Sequence, residues 1–279
     1  MTRGRAGLGA GQSAGQSPGR DGARARAGRA PVRTGRYGVS MLSPAPAIVA
    51  DLAPQGVLRA AINLGNPVLA QGTAAVPEGV TVDIAREVAA RLGARAEFLC
   101  FGAASDSFEA AASGQAAIAF LAIEPARAAR IAFTAPYVLI EGVYAVPAGS
   151  PLRSAAEVDR AGVRIGVKEG SAYDLFLTRT LKHATVVRGA EGTEVFLTGN
   201  LEAAAGIREP VTEFVAAHPG CRLIEGRFME ISQAVGTAAT RPQESIQFLH
   251  DVVEELKASG FVADGLRRSG QTAPVAPAG

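Results

Sequence analysis

Two Gly-x-Ser-x-Gly strings, at residues 11–15 and 15–19, have the spacing of a hydrolase nucleophile elbow. That chemistry needs a strained strand-to-helix turn under the serine, and no strand precedes these strings and no helix follows them. They read as the composition of a Gly/Ser-rich segment. Cys100 and Cys221 stand far apart, and His183, His218 and His250 are widely separated, so neither a zinc site nor a disulfide framework is encoded. Glu141 is the only charge in Val138-Leu139-Ile140-Glu141-Gly142-Val143. A lone carboxylate among aliphatics either points to solvent, the commoner outcome, or is held in a paired, functional setting. Ser171 with Asp174 three residues on fits a helix N-cap. Asn63 and Asn66 offer neutral amide donors and acceptors, although Asn66 before Pro67 also suits a turn.

The elements that position these residues alternate between strand and helix. Residues 58–64 read as a strand that ends in the turn-formers Gly65, Asn66 and Pro67. Ile84, Ala85, Val88, Ala89 and Leu92 recur at helical spacing until Gly93 stops the helix. A strand over 96–101 and a short helix over 108–112 follow. The uninterrupted apolar run at 116–123 then suits a parallel strand covered on both faces. Residues 138–146 are extended and lead into Pro147-Ala148-Gly149-Ser150-Pro151, a domain border. A second set follows, with strands at 163–167, 185–188 and 202–205 and helices at 172–181 and 193–197. Two α/β units are therefore expected. A final helix of about 15 residues carries Ile246, Leu249, Val253 and Leu256 on one face.

Composition narrows the function classes. The chain has 279 residues, 48% hydrophobic and 19% charged, enough to bury a core. No stretch reaches the roughly 20 apolar residues that cross a bilayer. The net charge of +2 conceals a split, because eight arginines and one aspartate among the first 40 residues leave the remainder acidic. Residues 1–46 lack an apolar period and read as a disordered tail. No aromatic interleaves with its arginines before Tyr37, so a solvated tail is expected and nucleic acid is not. The apolar residues 47–50 are too few and too Pro-flanked for a secretory core, so no export signal is read in the sequence.

The order of four segments resembles the extracellular solute-binding proteins of family 3, the amino-acid-type receptors of ABC importers. They are Gly56-Val57-Leu58-Arg59-Ala60-Ala61-Ile62; Gly79-Val80-Thr81-Val82-Asp83-Ile84-Ala85 with Leu92-Gly93; Arg127 with Phe133-Thr134-Ala135-Pro136-Tyr137; and Gly162-Val163-Arg164-Ile165-Gly166-Val167 with Gly170-Ser171. The resemblance implies an α/β, two-lobed periplasmic-binding-protein-like fold of type II, with two hinge strands and a ligand cleft between the lobes. Lobe 1 would take residues 47–146 and 237–270, lobe 2 residues 147–236, and 271–279 would be a flexible C-terminus. It further implies a periplasmic location, a small-molecule ligand, an ABC permease as partner, a monomer, and no cofactor or metal.

By the same resemblance, Arg127 pairs with the ligand's carboxylate, and Gly170 with Ser171 completes a cradle at a helix N-terminus. The departures bear on specificity. Glu124 stands where the family usually has Thr, three residues before the arginine, so a carboxylate could neutralise Arg127. The aspartate that normally holds an α-ammonium is missing, and the chain reads Ile207-Arg208 there. Arg208 in that place would favour an anionic ligand group, and Asn63 and Asn66 replace an aspartate and an aromatic. A carboxylate-bearing solute without an essential ammonium is expected. The alternatives are a cyclohexadienyl-dehydratase-like enzyme, with Glu124 or Glu141 as general acid, and a cytoplasmic ligand sensor.

Overall fold

Residues 118–122 are buried along their whole length, as an uninterrupted apolar run requires. The computed structural model, which describes residues 44–279, sets them inside a nine-stranded sheet. The first part of the chain runs α1 (Pro46–Leu52), β1 (Val57–Asn63), β2 (Gln71–Gly72), β3 (Pro77–Glu78), α2 (Val80–Arg91), β4 (Arg95–Phe101), α3 (Ala104–Ala112), β5 (Ile118–Ala122) and α4 (Pro125–Ala128). Then come β6 (Ile131–Pro147), β7 (Arg164–Lys168), α5 (Ala172–Thr180), β8 (Thr185–Gly189), α6 (Gly192–Thr198), β9 (Ala203–Ile207), α7 (Arg208–Ala217) and β10 (Cys221–Leu223). Finally β11 (Met229–Ala238) leads to α8 (Gln243–Ala258) and α9 (Phe261–Arg268).

The sheet order is β4-β1-β5-β11-β6-β9-β7-β8, with β10 on the end of β6. The parallel strands β4, β1 and β5 build the first lobe, and the parallel strands β9, β7 and β8 build the second. Both lobes share one sheet because β6 and β11 run antiparallel to each other through the middle. β6 pairs with β11 over residues 131–142 and takes β9 as partner from Gly142 onward. β11 joins β5 from Gln233. β6 thus exchanges β11 for β9 at Gly142 and β11 gains β5 at Gln233, a few residues ahead of the 146/147 and 237 borders expected from the sequence. A strand shared by both lobes runs past the point where its partners change, and its loop marks only where it stops.

β6 begins at Ile131, although Pro136 interrupts its ladder. Its partner answers with register shifts on either side of Ala234, the residue opposite Pro136, which absorb the missing N–H. The helix α8 packs against β6, α1 and α2 and buries Leu249, Val252, Val253 and Leu256. Among the described residues, no helix is long and apolar enough to cross a membrane. The Gly-x-Ser-x-Gly strings and residues 1–43 of the expected tail lie outside the described residues, while Pro46 already opens α1.

Residues 271–279 correct an expectation. Instead of hanging free, Val275 forms an antiparallel bridge to Val138, Leu139 N–H donates to Pro274 O at 3.0 Å, and Ala276 N–H donates to Tyr137 O at 3.1 Å. Ala273 and Ala276 are buried. The physical reason is an edge left open: β6 has no second strand beside it before β9 joins at Gly142, and the chain end supplies one. Deleting residues 271–279 is expected to cost about 2 kcal/mol, hence to lower the melting temperature by about 4–8 °C for a domain of this size. A calorimetric melt unchanged within error would contradict this docking.

Candidate functional site

A cavity of about 310 Å³ lies between the lobes, at the small end of the roughly 300–1,000 Å³ typical of small-ligand sites. The carboxyl ends of β1, β5, β7 and β9 reach its walls, where open α/β sheets bind ligands.

Arg127 forms part of the wall. After β5, Glu124 is extended and Pro125 starts the one-turn helix α4, which turns Arg127 back under the strand it has just left. The side chain is buried at 3% exposure. Its Nη1 donates to Ala122 O at 3.2 Å and its Nη2 to Gly170 O, on the opposite lobe, at 3.0 Å. No carboxylate of the described residues lies within ion-pairing distance of it. Burial draws its pKa down to about 10, partly offset by the field of Glu124. The guanidinium is thus still charged at neutral pH, with only carbonyls to balance it, a costly state for a buried cation. A guanidinium has five N–H donors, and an entering carboxylate would supply the missing negative charge.

The facing turn comes from the second lobe. Gly170 has φ +68°, a left-handed conformation that suits glycine. A Cβ there would also press on Ser105 of α3 at 3.1 Å. The turn is fixed by Asp174, whose carboxylate accepts from Gly170 N–H at 2.9 Å and from Thr178 Oγ1 at 3.1 Å and pairs with Arg188 at 3.0 Å. Ser171 caps α5 as its spacing predicts, accepting from Asp174 N–H at 3.1 Å, and it also lines the cavity. Tyr173 lines the cavity beside it, and burial pushes its phenol up to about 12.

Across from this turn, Asn63 Oδ1 accepts from Gly65 N–H at 3.0 Å and Asn66 Oδ1 from Val68 N–H at 3.3 Å. Both asparagines therefore do turn work while lining the cavity, and their amide nitrogens have no partner among the described residues. Gly65 between them is required by close approach, since a Cβ would lie 2.1 Å from Gly102 O and 2.9 Å from Lys168 Nζ of the opposite lobe.

Four of the residues read as ligand-facing stand elsewhere. Gly170 contributes through its carbonyl to Arg127 rather than to the wall. Glu124 is buried and forms an ion pair with Arg179 of α5, so it is engaged across the cleft rather than by Arg127. Glu141 pairs with Arg208 at 2.5 Å and Arg227 at 3.1 Å. These arginines, the Arg208 bond first, hold its carboxyl below the usual range. Arg208, besides Glu141, donates to Gly226 O at 2.7 Å. Neither Glu141 nor Arg208 lines the cavity. Each satisfies the other's charge on the hinge flank, which corrects the expectation that Arg208 faces the ligand. Its neighbour Ile207 lines the wall instead.

Sequence reasoning missed Gln233, Lys168 and Phe120, all of which line the cavity. Gln233 is buried at 6% exposure, on the hinge strand β11, and its side-chain amide has no partner among the described residues. Its signal was a single amide in an otherwise small and apolar stretch. Lys168 ends the parallel strand β7 and pairs with Glu191 at 2.5 Å. A lysine at a strand's carboxyl end was the available clue. Among the described residues no cluster of His, Cys, Asp or Glu is placed to hold a metal ion.

Residues 58–268 match the family model of the bacterial extracellular solute-binding proteins, family 3. No curated protein is significantly similar in sequence. Among solved structures, a solute receptor for L-cysteine of Neisseria gonorrhoeae superposes with a TM-score of 0.67 at 19% identity, over 79% of this chain and 92% of that one. A mutant of ArgBP from T. maritima gives 0.66 at 20% identity, over 80% and 99%. The ancestral amino acid-binding protein AncCDT-1, described as a precursor of cyclohexadienyl dehydratase, gives 0.65 at 16% identity, over 80% and 98%. At these identities the likeness is one of fold.

Proposed function

The chain belongs to the bacterial extracellular solute-binding proteins, family 3, and from that premise we propose that its cleft captures a small organic acid by the carboxylate and presents it to an ABC importer outside the cytoplasmic membrane. The observation that carries this reading is Arg127, a buried cation in the interlobe cavity with no carboxylate of the described residues in ion-pair contact. Asn63, Asn66 and Gln233 supply neutral amides around it, suited to the ligand's remaining oxygens.

The same surroundings support an acid without an α-ammonium. Around the cleft, Glu124 is taken by Arg179, Asp174 by Arg188 and Glu191 by Lys168, and Glu169 at the wall is exposed to water. Ile207 covers the wall where the family's ammonium-binding aspartate would be expected. An ammonium left without a carboxylate forfeits a charged hydrogen bond, about 1.5–3 kcal/mol, or roughly ten- to hundred-fold in affinity.

The enzymatic alternative would need a protonated carboxyl next to the substrate. Glu141 is held in its charged form by two arginines away from the cavity, and Glu124 is spent on an ion pair, so the geometry favours a receptor.

The test is thermal-shift screening against amino acids, dicarboxylates and aromatic acids, followed by calorimetric titration of matched pairs such as glutarate and glutamate. The deaminated partner is expected to bind about ten-fold tighter or more. An amino acid that binds ten-fold tighter than its deaminated partner would overturn the ammonium-free reading and point to Glu169, an exposed carboxylate at the cavity wall. Turnover of prephenate or arogenate would overturn the receptor reading.

A further inference from the structure

Three charged side chains from two lobes meet beneath the cleft. Glu124 and Arg127 stand at the two ends of the single turn of α4, both buried, at 2% and 3% exposure. Residues three apart on a helix lie on one face, and the charge of Glu124 is felt at the Arg127 guanidinium. A buried carboxylate requires a cation, and two stand near it. One is Arg127 on its own turn. The other is Arg179, from α5 of the opposite lobe, whose Nη1 bonds Glu124 Oε2. Arg179 is well placed to make that bond, since its guanidinium also lies 5.2 Å from the ring centroid of Phe176. The described structure chooses Arg179, which leaves Arg127 donating only to carbonyl oxygens.

We infer that Arg179 is a positioning residue that draws Glu124 away from Arg127 when the lobes close, so that the cleft shuts and its ligand-binding cation becomes available in one event. With the lobes apart, Arg179 leaves with the second lobe and Glu124 keeps one buried cation beside it, Arg127. An acid entering the open cleft then competes with Glu124 for the guanidinium. Closure removes that competitor by giving it a partner of its own. The arrangement also explains how a carboxylate is tolerated three residues from the arginine: it is a counter-ion held in reserve for one state and discharged onto the other lobe in the second.

The inference rests on the reading that Arg127 takes the ligand's carboxylate, and the experiment separates the two. Glutarate is titrated calorimetrically into wild type, Arg179→Met, Arg179→Lys and the double variant Glu124→Gln/Arg179→Met, each first shown to melt cooperatively. Arg179→Met is expected to weaken glutarate about ten-fold, while Arg179→Lys and the double variant stay within about three-fold of wild type. Equal weakening in Arg179→Met and the double variant would overturn the inference, because Arg179 would then only latch the lobes. Arg127→Ala is the control, since glutarate binding unaffected by it would refute the carboxylate reading instead. A crystal structure of ligand-free Arg179→Met provides a readout that needs no ligand and decides the matter if wild type ignores glutarate. It should show Glu124 within about 4 Å of the Arg127 guanidinium. Glu124 still separated from Arg127 in that structure would overturn the inference.

Discussion

Arg127→Ala is expected to reduce affinity for a bound acid by about thirty- to several-thousand-fold, the 2–5 kcal/mol that follows truncation of one partner in a buried, hydrogen-bonded charge pair. The effect is large because nothing nearby replaces the lost charge: Lys168 is engaged by Glu191, and Arg179 by Glu124. Folding should suffer far less. The guanidinium's charge is itself costly to bury, as its depressed pKa records, so its removal offsets part of what the two carbonyl contacts contribute. Titration should therefore show lost binding in a protein that melts within a few degrees of wild type. Retained affinity would mean that the ligand is held by the amides alone.

Asp174→Ala should have the largest effect on stability among the polar substitutions. This carboxylate is buried at 3% exposure and fixes three things at once, the Gly170 N–H, the Thr178 hydroxyl and the Arg188 guanidinium. Breaking a buried ion pair costs about 3–5 kcal/mol. Arg188 is 41% exposed and regains water, which brings the expectation to about 2–3 kcal/mol, or roughly 4–12 °C in melting temperature. Asp174→Asn keeps an acceptor for Gly170 and should fall between. Because the Gly170 carbonyl faces Arg127, the alanine variant should also bind acids more weakly, which a pure surface ion pair would not produce. A melt within about 2 °C of wild type would show that the turn holds without it.

The strands that build each lobe were legible because burial on both faces leaves continuous apolar runs, as in residues 118–122. The same logic failed wherever burial is one-sided or brief. α7 buries only Val211, and α9 is a helix of eight residues whose buried face, Phe261, Val262, Gly265 and Leu266, includes a glycine placed where a Cβ would press on Val80, so each offers too few large apolar residues to mark a helix. β6 begins seven residues ahead of the extended stretch expected from 138, because Pro136 breaks the local strand pattern while the compensating shifts lie on another strand, almost a hundred residues away.

The site divides in the same way. Arg127 is singled out by the resemblance to the family, and Ser171 also by an N-cap spacing that the structure keeps. Which acids remain free for a ligand could not be read. The pairs Glu124 with Arg179 and Glu141 with Arg208 join residues 55 and 67 positions apart. No local pattern announces a partner at that separation. Gln233 was missed because a single amide on a hinge strand differs from a solvent-facing one only in three dimensions.

The docked chain end has a use in instrumenting the protein. Gly279 N–H donates to Glu254 Oε2 of α8, and the preceding residues are fastened to β6 ahead of Gly142. A fluorophore attached at the C-terminus would consequently report the position of the first lobe with little wobble of its own. A second dye on the exposed Glu213 of α7, introduced as Glu213→Cys, would travel with the second lobe. The native thiols Cys100 and Cys221 are partly accessible and would have to be replaced first. Energy transfer between the two dyes would then turn cleft closure into an optical signal, and an unknown acid could be recognised by the colour change it produces.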